Sequence, residues 1–174
     1  MGPIVDETMD RLVLRPFQTS TTFGNLARDG RGVFHVTDDV LLLATAAVGQ
    51  PDPLPPLLPA HNGNGFIIAD ACRWYAFEVR SIDTSQPRTT IEAKVVDRGR
   101  IRDFFGFNRA KHAVVEAAIL ATRIGILPRE EIEQEFAGLA VLVEKTGGTR
   151  ERQAFAFLRD YIDRSSEMKE EHRG

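Results

Sequence analysis

The sequence contains one cysteine, Cys72, among 174 residues. A single cysteine cannot form an internal disulfide or a cysteine-based metal cage. The class of disulfide-stapled secreted domains and the class of zinc ribbons are therefore excluded. We expect the protein to work in the reducing cytoplasm.

The sequence also lacks a long apolar run and an excess of positive charge. No apolar run is long enough to span a membrane, and the first six residues do not resemble a signal peptide. We therefore predict no membrane contact. The net charge is −3, from 22 Lys and Arg against 25 Asp and Glu, which gives nucleic-acid binding no electrostatic support.

Common catalytic and nucleotide-binding motifs are absent as well. There is no Gly-x-Gly-x-x-Gly, no Walker sequence, no Gly-x-Ser-x-Gly and no His-Glu-x-x-His. His61 lies in a loop without a second ligand at metal-binding spacing, so we predict no metal site. No pattern identifies a catalytic residue.

The order of predicted elements indicates an α+β fold. Alternating or β-prone segments, typical of strands, lie at residues 11–17, 32–36, 66–68, 74–82 and 88–97. A helix over 40–48, capped by Thr37, interrupts them, and the proline-rich segment 50–65 is expected to be irregular. Helical spacing dominates after residue 103, with helices expected to begin near 107, 128 and 149. We therefore predict a β-rich domain over 1–103 and a helical domain over 104–174.

The strongest candidate binding cluster follows the first alternating strand. It consists of Arg15, Ser20, Thr21, Thr22 and Asn25, with Asn25 expected to open a short helix. A fixed cation, hydroxyl donors and free backbone N–H groups at a helix start are the groups that bind phosphate. The alternative is a strand end followed by an ordinary helix cap, with Arg15 in solvent.

Two further positions are candidates for cofactor contact. His35 lies between Phe34 and Val36 on a predicted strand, so it either points toward a ligand or is a half-buried histidine. Asn108 and Lys111 lie at the start of the alanine-rich helix, where a cation is unfavourable unless an anion compensates. That anion is either a ligand or an acidic side chain from elsewhere in the chain, and a third alternative is a first turn that is exposed to solvent.

Four strings in the sequence resemble a known family. They are RPFQTSTTFGNL at 15–26, GVFHVTDD at 32–39, FGFNRAKHA at 105–113 and EAAILATR at 116–123. The first two resemble the FMN-binding split β-barrel of the flavin-reductase-like superfamily. The set together resembles domain-of-unknown-function family 447, in which such a barrel precedes a C-terminal helical domain. Members usually have a further strand hairpin ahead of Met1, so the resemblance implies a barrel that lacks this hairpin here.

The resemblance implies an FMN site shared between two subunits of a dimer, with the phosphate near Arg15, Ser20, Thr21, Thr22 and Asn25. We expect Trp74, Tyr75, Ala113 and Ala117 to offer apolar surface for that homodimer. The implied function is an FMN-dependent oxidoreductase of unknown substrate, with a nicotinamide or another small redox partner. Two alternatives stay open. One is a non-catalytic flavin- or small-ligand-binding protein whose helical domain docks a partner, and the other is a barrel that has lost its cofactor.

Overall fold

The computed structural model describes residues 3–60 and 65–171 of the chain, so His61 lies outside the described residues. The chain forms two compact units. The first consists of Met1–Thr37 and Pro56–Asp103, and the second of Asp38–Pro55 and Phe104–Gly174. Residues 38–55 thus group with the C-terminal helices, although they precede most of the strands in sequence.

The first unit is built on an open antiparallel sheet. Its strands are β1 (Ile4–Val5), β2 (Arg11–Leu14), β3 (Arg31–Val36), β6 (Arg73–Asp83) and β7 (Thr90–Arg100), in the order β1-β2-β7-β6-β3. A separate two-stranded ribbon pairs β4 (Leu57–Pro59) with β5 (Phe66–Ile68). Among the described residues no pairing closes the five-stranded sheet. The predicted α+β class is confirmed.

The expectation that segment 50–65 has no regular structure is wrong at residues 57–59. Leu57–Pro59 forms β4, because β5 supplies the hydrogen-bonding partner that the isolated segment lacks. Pro59 is tolerated because β4 has only one paired neighbour, and a proline fits an edge strand.

The two faces of the sheet have different coverings. One face packs against helix α1 (Thr21–Asp29) through a cluster that contains Leu12, Leu26 and Ile91. We call it the α1 face. On the opposite face, Trp74 and Ala76 pack against Ile67 of the β4–β5 ribbon. Strand alternation places Arg11, Val13 and Arg15 on this opposite face, because Leu12 lies on the α1 face.

The described part of the second unit is a bundle of four helices. They are α2 (Val40–Val48), α3 (Arg109–Ala121), α4 (Arg129–Thr146) and α5 (Thr149–Glu171). Helix α3 packs against the other three, and its alanines are buried, at positions 110, 113, 117, 118 and 121. Small side chains let neighbouring helix backbones approach closely, so the alanine spacing explains the central position of α3. No described helix is both long enough and apolar enough to span a bilayer.

Two predicted helix starts are corrected by the capping geometry. Asp39, not Thr37, caps α2, since its carboxylate accepts hydrogen bonds from the backbone N–H groups of Leu41 and Leu42. Ser20 caps α1, which begins at Thr21, so Asn25 lies within the helix and does not open it. Both predictions failed because several neighbouring polar side chains can accept a hydrogen bond from the free backbone N–H groups in the first turn of a helix.

The apolar surface predicted for a dimer is also corrected. Trp74 and Tyr75 are 7% exposed, and Ala113 and Ala117 are 1% and 0% exposed. These four residues form the cores of their own units. They are therefore not available to a second subunit.

Candidate functional site

The hydroxyl of Ser20 is committed to the start of α1. Its Oγ donates to the carbonyl oxygen of Phe17 at 2.7 Å and accepts from the backbone N–H of Phe23 at 3.2 Å. The residue therefore orders the turn between β2 and α1. Any role in ligand binding would have to use the one lone pair that remains on Oγ.

Thr21, Thr22 and Asn25 form an open polar face on the first turns of α1. All three are exposed, and their side chains make no hydrogen bond within the part of the chain that the structure describes. Residues three and four apart on a helix are neighbours, so these side chains lie together. No acidic residue occupies the first turn of α1, which leaves the positive end of the helix dipole uncompensated. The face can therefore accept an anion.

Arg15 is exposed and has no ion pair or hydrogen bond with any described residue. Alternation along β2, continued to the bridge of Phe17 with Arg88, assigns Arg15 to the sheet face opposite to the α1 face. The structure thus brings Ser20, Thr21, Thr22 and Asn25 together at one helix start, but it directs Arg15 to the other face of the sheet.

Two residues that the sequence analysis did not select lie next to Arg15. Phe17 pairs with Arg88 in an antiparallel bridge, and the Arg88 guanidinium lies 4.5 Å from the centre of the Phe17 ring. Arg88 was visible as the first residue of a predicted strand. Its relation to Arg15 depends on which strand pairs with β2, and the sequence around Arg15 does not specify that partner.

His35 is half-buried on β3, where it faces Trp74 of β6. Its Nε2 accepts a hydrogen bond from the backbone N–H of Ile68 at 3.1 Å, which ties β5 to the sheet. Burial lowers the pKa of His35. Both features favour the neutral imidazole. The hydrogen bond from Ile68 gives His35 a structural contact, whether or not it also touches a ligand.

Asn108 and Lys111 are held within the second unit. The Asn108 side chain caps α3 by accepting from the backbone N–H of Lys111 at 3.0 Å. The Lys111 ammonium donates to the carbonyl oxygen of Asp38 at 2.7 Å and forms an ion pair with Glu151 at 3.0 Å. The acidic partner that the sequence left open is therefore present in the fold, as Glu151 of α5.

The Glu151 carboxylate is mostly buried and multiply bonded. Burial alone would raise the pKa of Glu151, but hydrogen bonds from Lys111 and from backbone N–H groups, that of Gly148 among them, lower it below its usual value. The side chains of Lys111 and Glu151 are only 19% and 11% exposed. Both charged groups of the pair are therefore largely shielded from bulk water.

No group of three or more histidine, cysteine, aspartate or glutamate side chains suited to a metal ion occurs among the described residues. The groups without a described partner at the predicted positions are the guanidinium of Arg15, the hydroxyls of Thr21 and Thr22 and the amide of Asn25. These groups fit an anionic organic ligand, and a phosphate in particular.

The sequence matches two family models. Residues 1–102 match the N-terminal domain of a protein of unknown function, DUF447, and residues 108–160 match a second model described as a protein of unknown function, DUF447. No curated protein matches the sequence.

Solved structures provide a fold comparison. An FMN-bound DUF447 protein from Methanosarcina mazei has a TM-score of 0.78 at 19% identity, over 91% of this chain and 84% of that chain. This similarity shows a shared fold. The NADH:FAD oxidoreductase of Streptomyces globisporus reaches a TM-score of 0.46 at 10% identity, over 57% of this chain and 63% of that one. A nitrilotriacetate monooxygenase component B from Mycobacterium thermoresistibile reaches 0.47 at 13% identity, over 55% of each chain.

Proposed function

The chain belongs to the DUF447 family, and from that premise we propose that it is an FMN-binding flavoprotein. The observation that carries the proposal is the FMN-bound Methanosarcina mazei protein, whose fold matches 91% of this chain. The open sheet corresponds, in this proposal, to the FMN-binding split β-barrel of flavin-reductase-like proteins. The single cysteine is consistent with work in a reducing cytoplasm.

The groups on the first unit fit the phosphate of FMN. On the sheet face opposite α1, Arg15 offers a guanidinium that no described residue neutralises. At the start of α1, the exposed Thr21, Thr22 and Asn25 offer uncommitted donors as an alternative position for the phosphate. A guanidinium binds a phosphate through paired hydrogen bonds, which makes Arg15 the primary phosphate ligand in this proposal. Contacts of FMN with Ser20, His35, Asn108 and Lys111 stay predictions, since the bonds described above already give each of them a structural role.

We further propose that the flavin serves an oxidoreductase reaction with a nicotinamide or another small redox partner. A bound flavin supplies hydride and electron transfer, and the protein supplies binding and orientation. The competing proposal is a flavin carrier without turnover, whose helical unit docks a partner. The two differ in whether a hydride donor reduces the bound flavin.

Spectroscopy of the purified protein tests this function. We expect a yellow protein that releases FMN on denaturation, and anaerobic loss of the flavin absorption after addition of NADH or NADPH. Release of FMN without reduction by either donor would favour the carrier. A colourless protein that fails to bind added FMN would contradict both proposals and support the third alternative, a fold that has lost its cofactor.

We also propose a homodimer, on surfaces other than those predicted from the sequence. On the first unit, Leu57, Leu58 and Phe66 of the β4–β5 ribbon are 51%, 49% and 64% exposed. On the second unit, Phe105 and Phe107 are 68% and 97% exposed. Exposed apolar groups of this size favour burial against a partner, and two-fold pairing is the commonest closed arrangement.

Light scattering of the FMN-loaded protein tests the dimer. We expect twice the mass of one chain. If the β4–β5 ribbon is the interface, the double variant Leu58→Ser with Phe66→Ser should shift the mass toward that of one chain. If the segment 104–107 is the interface, Phe107→Ser should cause the same shift. A single-chain mass for the unaltered protein at micromolar concentration would contradict the homodimer.

A further inference from the structure

The pairing between β2 and β7 continues beyond the end of β2. Leu14 faces Ile91, and Phe17 faces Arg88 in the same register. Between them, the Pro16 carbonyl oxygen accepts from the backbone N–H of Thr89 at 2.9 Å, and the N–H of Gln18 donates to the Pro87 carbonyl oxygen at 3.1 Å. These bonds show that the antiparallel ladder is continuous through this segment.

This register places four side chains on one face. Arg15 lies opposite Thr90, and Phe17 lies opposite Arg88, because the alternation along both strands is unbroken. Both are non-hydrogen-bonded pairs, in which facing side chains approach most closely. Arg15 and Arg88 are diagonal neighbours, which lie about 7–8 Å apart on such a ladder. The face is the one opposite α1.

Arg15 and Arg88, unlike Arg11 on the same face, are not neutralised by the described chain. Neither Arg15 nor Arg88 has an ion pair with a described residue. Glu92 is the nearest acid along β7, and it pairs with Arg11 at 3.9 Å. Asp83 faces Thr90 from β6, but its carboxylate accepts from the backbone N–H of Ser85 at 2.8 Å. Two like charges on neighbouring sheet positions repel, so an anion between them would be stabilised by both.

We propose that Arg88 and Thr90 bind the same phosphate monoester as Arg15, and that Phe17 holds the Arg88 guanidinium in place. The inference rests on the proposed FMN function and adds the residues that complete its phosphate site. Two guanidiniums match the double charge of a phosphate monoester, and each offers a planar pair of donors. The Thr90 hydroxyl, which makes no hydrogen bond with a described residue, supplies a further donor. The stacking of Arg88 on Phe17 restricts its rotamers before the ligand arrives.

Binding titrations of single variants test the shared phosphate. The probes are FMN and riboflavin, which lacks the phosphate, each titrated into flavin-free full-length protein with fluorescence detection. Arg88→Ala should raise the dissociation constant of FMN about tenfold to a hundredfold and leave that of riboflavin unchanged. Arg88→Lys should recover part of the loss. Arg11→Ala is the matched control, since Arg11 lies on the same strand face but is already paired with Glu92, and it should leave both constants unchanged.

A double variant tests whether both arginines bind one phosphate. Arg15→Ala with Arg88→Ala should weaken FMN binding by less than the product of the two single effects, because the two side chains share one ligand group. Thermal unfolding checks whether each variant is folded. Because Arg88 is exposed, we expect its replacement to leave the fold intact.

Three results would overturn the inference without touching the proposed function. FMN affinity could stay unchanged in both Arg88→Ala and Arg88→Lys. Thr22→Val, and not the Arg88 variants, could lose the preference for FMN over riboflavin, which would place the phosphate at the start of α1. The Arg88 variants could bind FMN normally but lose preference between NADPH and NADH, which would assign Arg88 to a second ligand. Failure of the unaltered protein to bind FMN would instead remove the proposed function, and the inference with it.

Discussion

Lys111→Met is expected to lower the free energy of unfolding by about 3 kcal/mol. Removal of one partner of a buried ion pair costs about 3–5 kcal/mol, and the residual exposure of this pair places it at the lower end. The loss of Lys111 leaves the Glu151 carboxylate without its cation and the Asp38 carbonyl oxygen without its donor. Urea unfolding followed by circular dichroism measures the change.

Two variants serve as controls for this loss. Arg109→Ala removes an exposed cation from the same turn of α3 and should change stability by no more than about 0.5 kcal/mol. Lys111→Met with Glu151→Leu removes both charges and should recover much of the stability, since no buried charge is left unpaired. Unchanged stability of Lys111→Met, together with weaker FMN binding, would contradict the structural role and support the prediction that Lys111 contacts the cofactor.

Arg15→Ala is expected to weaken FMN binding by about 1.5–3 kcal/mol, the range for hydrogen bonds to charged groups. The dissociation constant should rise about tenfold to a hundredfold. Riboflavin should bind as it does to the unaltered protein, because it has no phosphate for the guanidinium to contact. Fluorescence titration of both flavins measures the two constants side by side.

Arg15→Lys separates charge from geometry in the same assay. An ammonium keeps the positive charge but cannot make the forked contact, so it should recover only part of the affinity. The exposed position of Arg15 predicts an unchanged melting temperature for both variants. Equal loss of FMN and riboflavin affinity, or a loss of stability without a loss of FMN affinity, would show that Arg15 does not bind the phosphate.

Most helices and strands were predictable because their patterns are local. Leu12 is buried between the exposed Arg11 and the half-buried Val13, and Ile91, Ala93 and Val95 repeat every second position, so burial of one face produces strands there. The alanines of α3 recur at helical spacing, and all of them became core. The errors lie where the deciding partner is distant in sequence or where several neighbours compete. β4 needed β5 as a partner, and α2 is capped by Asp39 and not by the predicted Thr37.

The candidate site was predictable in its residue types but not in its arrangement. The sequence by itself determined that Arg15 would end an alternating strand and that a cluster of hydroxyls and a short helix would follow. Only the tertiary structure decided which groups those residues meet. Lys111 contacts Glu151 because α3 packs against α5. Arg15 lies opposite Thr90 and diagonal to Arg88 because β2 pairs with β7 in one register. A shift of that register by one residue would move every side chain of the strand to the other face, and no local pattern around Arg15 specifies the partner strand.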